Sequence, residues 1–481
     1  MSVRDLEPKA MWNNFADLNA VPRPSKKEEK VIQFMVDFGK KLGLETKTDK
    51  IGNIIIKKPA TPGMEDRQTI IMQSHVDMVH QKNSDKVFDF DTQGIEMKIE
   101  GDWVKAEGTT LGADNGIGVA SIMAILESTD IAHPAIEAMF TVDEETGMTG
   151  AMELDPSNFT GTILLNLDTE DDDELSIGCA GGIDTNTSYV YESISTPAGS
   201  KAYRIELRGL MGGHSGMDID QGRANANKLM NRLMYDSPVK LNIASIDGGS
   251  LRNAIPREST VVLTIAEMDA EAFESYFEMK TEALAEEFAS IEKDMKFSIA
   301  ATDLPTEVVS GADTTKILQA VHATHNGVFR MSPDIEGLVE TSSSLARVIV
   351  NGGKFITQSL QRSSVESTKW EVANTIKSTY ELLGAEVVQS GDYPGWQPNP
   401  NSKILKTMEQ LYKDMFNEAP QVKACHAGLE CGILGKHLPN TDMISFGPTI
   451  RQPHSPDERV SISSVQKFWG YLIETLKNIP A

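Results

Sequence analysis

Several apolar runs in this chain are short, and each gives way at once to acidic or imidazole side chains. Residues 69–72 lead into His75 and Asp77; residues 136–142 lead into Glu144 and Glu145; residues 162–167 lead into Asp168; residues 443–446 lie a few positions before His454. Runs of four to eight apolar residues suit strands buried on both faces, and such strands belong to sheets covered by helices. Residues 116–127, GIGVASIMAILE, read as a buried helix, and Asp114 stands just before it. The pattern predicts an α/β fold with a mixed, mostly parallel sheet flanked by helices. In open sheets of that kind, sites form at the carboxyl ends of the strands. All these polar groups would gather at that one edge.

The character of the chain changes after about residue 186. Strand, helix, strand, strand, helix, strand are expected between 203 and 301, the split βαβ plan of a ferredoxin-like layer. A helix near 315–325, strands near 346–350 and 355–360 and a helix over 365–383 follow. The middle therefore reads as an enlarged or doubled α+β layer inserted into the first domain. Residues 392–402, with three prolines, read as a linker. The expected division is 1–186 and 396–481 for the first domain and 187–395 for the insertion.

With 481 residues, two or three domains are expected. The net charge of −25 argues against a nucleic-acid partner, which usually meets a basic face. Three cysteines form no disulfide framework, and no run approaches the length of a membrane span. The N-terminus lacks the apolar core of a signal peptide. A cytoplasmic protein with neither a nucleic-acid nor a membrane partner is expected.

Imidazole nitrogen and carboxylate oxygen together suit Zn²⁺ and related ions. A shared carboxylate with two further ligands on each side would hold two ions about 3.5–4 Å apart. Asp114 is the candidate bridge, His75 with Asp168 one set, Glu145 with His454 the other. Glu144 is left over as a base, and Asp77 is placed to orient His75. His80, His133, His322, His325 and His437 read as packed or solvated; His426, in the glycine-rich CHAGLECG, stays open. GIGVAS is a poor dinucleotide loop, because Asp114 would stand where a pyrophosphate belongs. The acidic residues 170–174 read as a solvated loop, and Cys425 and Cys431 as structural. Arg362 closes a strand just before a helix that Ser363 and Glu366 would cap, a suitable place for a substrate carboxylate.

SHVDMV, LGADNGIGVA, DEETGMTGA, LNLDTED, GGHSG and PHSPDE occur in that order along nearly the whole chain. Together they resemble the aminoacyl-histidine dipeptidases, carnosinase-like enzymes within the aminoacylase- and carboxypeptidase-like metallopeptidases. The resemblance implies a zinc-exopeptidase-like catalytic domain carrying a lid and dimerisation domain, and a homodimer. It implies two Zn²⁺ per subunit, with Co²⁺ or Mn²⁺ able to substitute, on the same five ligands. It gives Asp77 as the orienting carboxylate and Glu144 as the base acting on a metal-bound water, and a cis peptide at Asp114–Asn115. The implied reaction is hydrolysis of Xaa-His dipeptides such as β-alanyl-histidine. His214 would stabilise the oxyanion, in its own subunit or across the dimer, with Asn253 and Gly428 in segments that contact substrate. Two alternatives stay open: a deacylase of N-acyl amino acids, and a non-catalytic binding protein on this scaffold.

Overall fold

A computed structural model describes residues 2–481. The chain divides into two units, one of residues 1–178, 398–424 and 429–481, the other of residues 179–397 and 425–428. The second unit thus starts and ends a few residues from the expected boundaries, and it takes in the short segment holding His426 and Gly428.

The first unit is built on an eight-stranded sheet. Its centre is parallel: Ile136–Thr141, Ile70–His75, Ile163–Asn166 and Asp442–Ser445 lie side by side in one direction. The flanks are antiparallel, with Ile54–Lys58 on Ile136–Thr141, Glu45–Thr48 beyond it, and Glu174–Cys179 against Asp442–Ser445. The mostly parallel sheet expected from the sequence is therefore confined to the four central strands. These central runs are apolar because both faces are covered. Every residue of Ile70–His75 and Ile136–Thr141 is buried. The helix Ala113–Glu127 is buried along nearly its whole length, as its uniform apolarity requires. Its first residues depart from helical geometry at Asp114 and Asn115, and the peptide between them is cis, as the resemblance implied.

GIGVAS has a packing role. A Cβ on Gly118 would lie 2.4 Å from Ser74 Oγ and 2.7 Å from the Leu167 carbonyl, and one on Gly116 2.7 Å from Arg23. These glycines let the helix press onto the strand ends. A four-stranded sheet, Ile450–Arg451, Arg459–Ser461, Trp103–Ala106 and Met97–Glu100, is an addition the apolar pattern does not reveal. Its strands have two to four residues each, too few for a period to register.

The second unit carries a nine-stranded antiparallel sheet. The first split βαβ is present, with strands in the order Lys296–Ala301, Ser200–Arg208, Ser259–Ala266, Leu241–Gly248. A second copy of the plan continues the sheet through Val339–Asn351, Lys354–Ser363, Gly181–Val190 and Glu386–Tyr393, with helices Gly311–Ala323 and Glu366–Leu383. The two join where Ile246 faces Val350. The first copy is inserted in sequence between the first strand and first helix of the second, so the layer is doubled by nesting.

Candidate metal centre

Backbone ends in the first unit bring five side chains together. His75 is the last residue of its strand rather than part of the loop after it. Its Nε2 lies 3.2 Å from Asp114 Oδ1 and 3.6 Å from Asp168 Oδ1. His454 Nε2 lies 3.2 Å from the other oxygen of Asp114 and 3.0 Å from Glu145 Oε2. Asp114 thus has one oxygen beside His75 and the other beside His454, which also meets Glu145. A tetrahedral site with bonds of about 2.0–2.2 Å has edges of about 3.3–3.6 Å, and the observed separations fall close to that. Asp168 Oδ1 is buried without a hydrogen-bond partner. The donor set and its spacing fit one or more divalent ions.

Charges set the proton affinities here. Burial works against the charge of Asp114, but hydrogen bonds from His454 and His75 hold its carboxyl well below the usual aspartate range. Hydrogen bonds to Asp114 and Glu145 carry His454 up to about 11. Burial lifts Asp168 to about 6, with His75 opposing. Burial also lifts Glu144 well above the usual carboxylate range, with His75 opposing and Asp168 and Glu430 adding to it.

Asp77 does more than the sequence suggests. Its Oδ1 lies 3.3 Å from His75 Nδ1. The same carboxylate accepts the backbone N–H of Glu144 at 3.1 Å and of Glu145 at 3.3 Å. One buried side chain therefore fixes the imidazole and the turn that carries both glutamates. That turn, Glu144–Gly147, is flanked by Asp143 and Met148 in left-handed conformation. Asp143 accepts bonds from Thr146 and Thr149 and donates its N–H to Glu28.

The pattern of peptidase family M20/M25/M40 matches residues 71–478. The chain belongs to that family. It is 41% identical over 480 residues, 99% of each chain, to a cytosol non-specific dipeptidase of Escherichia coli (strain K12). It superposes with a TM-score of 0.96 and 42% identity on an aminoacylhistidine dipeptidase from Vibrio alginolyticus, covering 100% of this chain and 98% of that one. An aminopeptidase PepT from Bacillus cereus shares the fold, at 16% identity and a TM-score of 0.57 over 98% of this chain and 99% of that one.

The sequence reading of this M20 chain missed two buried residues behind these side chains. Glu458 accepts the N–H groups of Leu111 and Gly112 on one oxygen and of Ala113 and Asp114 on the other, at 2.7–3.3 Å. Arg23 donates to the carbonyls of Val76, Asp77 and Gly112. Glu458 ends the motif PHSPDE, and that was its only signal. The acidic residues 170–174 also differ from the solvated loop expected. Glu170 is half-buried, and burial lifts it to about 8. Asp171 pairs with Arg451, Asp172 with Lys467 and Glu174 with Lys423.

The remaining candidates lie in the second unit. Arg362 is buried in the strand Lys354–Ser363, without a carboxylate in ion-pair distance among the described residues. The capping box expected after it does not form: Val365 is the N-cap, without a side-chain bond, and Glu366 bonds Trp370 and Lys369 instead. His214 Nδ1 accepts the N–H of Gly216 at 3.2 Å and of Met217 at 3.0 Å. Its proton therefore sits on Nε2, 3.5 Å from an Arg362 nitrogen. Burial and Arg362 lower its pKa, so two donors face one another without an acceptor between them. Asn253 is exposed, and its carbonyl accepts the N–H of Ser215. Gly428 sits against the Tyr393 ring. His426 is buried, bonds Ser342 Oγ at 2.7 Å, and is lowered to about 3 by burial beside Arg362. His133 and His437 bond carbonyls, and His322 stacks on Tyr235.

Proposed function

We propose that this M20 protein is a cytoplasmic, homodimeric metallodipeptidase with two Zn²⁺ per subunit, preferring Xaa-His substrates such as β-alanyl-histidine. The observation that carries the reading is the partition of His75, Asp168, Glu145 and His454 about the two oxygens of Asp114, with the Glu144 side chain close by and without a hydrogen bond or ion pair among the described residues. Co²⁺ or Mn²⁺ would suit the same donors.

When bound, the divalent ions would polarise the scissile carbonyl and make an attacking water acidic. The chain's own residues do the rest. Glu144, whose raised proton affinity suits a base that must later act as an acid, takes the water's proton and delivers it to the leaving amine. Asp77 keeps Nε2 of His75 turned inward by engaging Nδ1. His214, a neutral Nε2–H donor, serves the oxyanion, with Asn253 and Gly428 as further substrate contacts. Arg362 takes the C-terminal carboxylate of the dipeptide.

The names of the two close relatives differ in breadth, one a non-specific dipeptidase, the other an aminoacylhistidine dipeptidase. The test is a dipeptide panel with Xaa-His, Xaa-Leu and an N-acetyl amino acid, on metal-replete protein with and without chelator. Chelator-sensitive turnover highest on Xaa-His supports the reading. Highest turnover on the acetylated substrate makes the protein a deacylase. Metal binding without turnover of either makes it a binding protein.

A further inference from the structure

Register in the second unit places four residues abreast across neighbouring strands. Ser342 faces Arg362, Arg362 faces Gly182, and Gly182 faces Tyr393 on the edge strand. Tyr393 is thus two strands from Arg362, about 9–10 Å at ordinary strand spacing. It reaches Arg362 nonetheless: its hydroxyl accepts from Nη1 at 3.0 Å. Gly182 is the reason. A Cβ there would lie 2.6 Å from ring atoms and from the hydroxyl of Tyr393, so only a glycine lets the ring lie across the middle strand. Gly428 meets the same ring, where a Cβ would stand 3.0 Å away.

The backbone that aims Tyr393 is itself built for this. The pairing of Glu386–Tyr393 slips between Ser390 and Tyr393, where Gly391 takes a φ of +64°. A bulge of this kind re-aims a side chain. Lys369, fully buried, locks it: its ammonium donates to the Tyr393 carbonyl at 2.8 Å and pairs with Asp392 and Glu366 at 2.7 Å each. Burying an ammonium is costly unless it is paired in this way. Burial also raises the pKa of Tyr393, so the phenol keeps its proton. An oxygen that accepts from Arg362 still has that proton to donate.

We propose that Tyr393 is a specificity-determining partner of Arg362: it holds the guanidinium in one plane and donates its hydroxyl proton to the same substrate carboxylate. This rests on the assignment of Arg362 to the carboxylate under Proposed function. The experiment measures KM and kcat separately for β-alanyl-histidine and its C-terminal amide, in wild type, Tyr393→Phe, Gly182→Ala and Arg362→Met. A charge-assisted hydrogen bond is the interaction at stake. Tyr393→Phe is expected to raise KM for the free acid about 10-fold, with kcat within about twofold and KM for the amide unchanged. Gly182→Ala, which displaces the ring, is expected to do the same, and Arg362→Met to raise KM for the acid about 100-fold. If Gly182→Ala does not fold, Tyr393→Phe decides alone. If Arg362→Met separates acid from amide but Tyr393→Phe does not, the proposal falls and the Arg362 assignment stands. If Arg362→Met does not separate them, both fall. An equal rise in KM for acid and amide in Tyr393→Phe reduces Tyr393 to a packing role and overturns the proposal.

Discussion

Glu144 and Asp77 differ in kind although both are buried carboxylates beside the same imidazole. Among the described residues the Glu144 side chain makes no hydrogen bond or ion pair, which leaves it available for the proposed reaction; Asp77 is committed to His75 and to two backbone N–H groups. Glu144→Gln keeps the shape and removes the proposed base. Turnover is expected to fall about 10²–10⁴-fold with metal content and fold unchanged, measured by steady-state kinetics beside metal analysis. Asp77→Asn leaves the ligands in place but loosens their orientation. Metal affinity is expected to fall about 10–100-fold, read by competition with a chelating dye. Equal affinity in wild type and variant would remove Asp77 from the orienting role. Asp77 could be picked from its spacing to His75, because two residues along an extended chain share a face. Its hold on the Glu144–Glu145 turn could not, since nothing local links residue 77 to residue 144.

At the scale of elements, the loop that delivers Asp114 depends on a residue more than 340 positions away. Glu458 satisfies four consecutive N–H groups, Leu111 to Asp114, at the start of the helix Ala113–Glu127. In Glu458→Gln one oxygen remains and an amide NH₂ faces the other two donors. Each buried donor left unpaired costs about 1–3 kcal/mol. A loss of about 2–6 kcal/mol and weaker metal binding are expected together, followed by urea unfolding with and without Zn²⁺. The central strands of the first sheet and most of the long helices were legible, because runs such as 70–72 and 116–127 carry strand and helix character plainly, whereas the helices Lys9–Asn19 and Glu29–Lys41 and the strand Gly181–Val190 were not read. The small sheet with Trp103–Ala106 was not, since its stability comes from packing a helix and its neighbours, not from any apolar period. Asp392 and Tyr393, read as the start of a linker because prolines follow, instead finish an edge strand.

Over the whole molecule, two contributions to stability should respond to conditions. Glu144 and Asp168 are buried beside other carboxylates, and burial and those neighbouring charges disfavour their ionised forms when no cation is bound. Chelation is expected to lower the thermal midpoint, and Zn²⁺ to restore it; binding at 100 times Kd adds about 2.7 kcal/mol per site. His426 responds to acid. Its folded pKa is about 3, below the ordinary histidine value of 6.5, because burial disfavours its charge. The unfolded chain therefore binds one proton more between those values, and stability is lost as pH falls through that window. The slope from this group is up to about 1.4 kcal/mol per pH unit. His426→Gln should flatten the stability profile between pH 6 and 4 relative to wild type; an unchanged slope would show that His426 is protonated in the fold.

The sequence by itself determined the buried strands and helices, the existence of an inserted layer, and the identity of five side chains suited to a cation. Those follow from residue type and short-range spacing, which hydrophobic burial and ligand chemistry read directly. Only the tertiary structure decided which oxygen of Asp114 serves which imidazole, why Glu458 and Arg23 stand behind the loop, and how Tyr393 reaches Arg362 over Gly182. Each of those depends on chain segments far apart in sequence being pressed to hydrogen-bond distance, and no local period or composition encodes such a meeting.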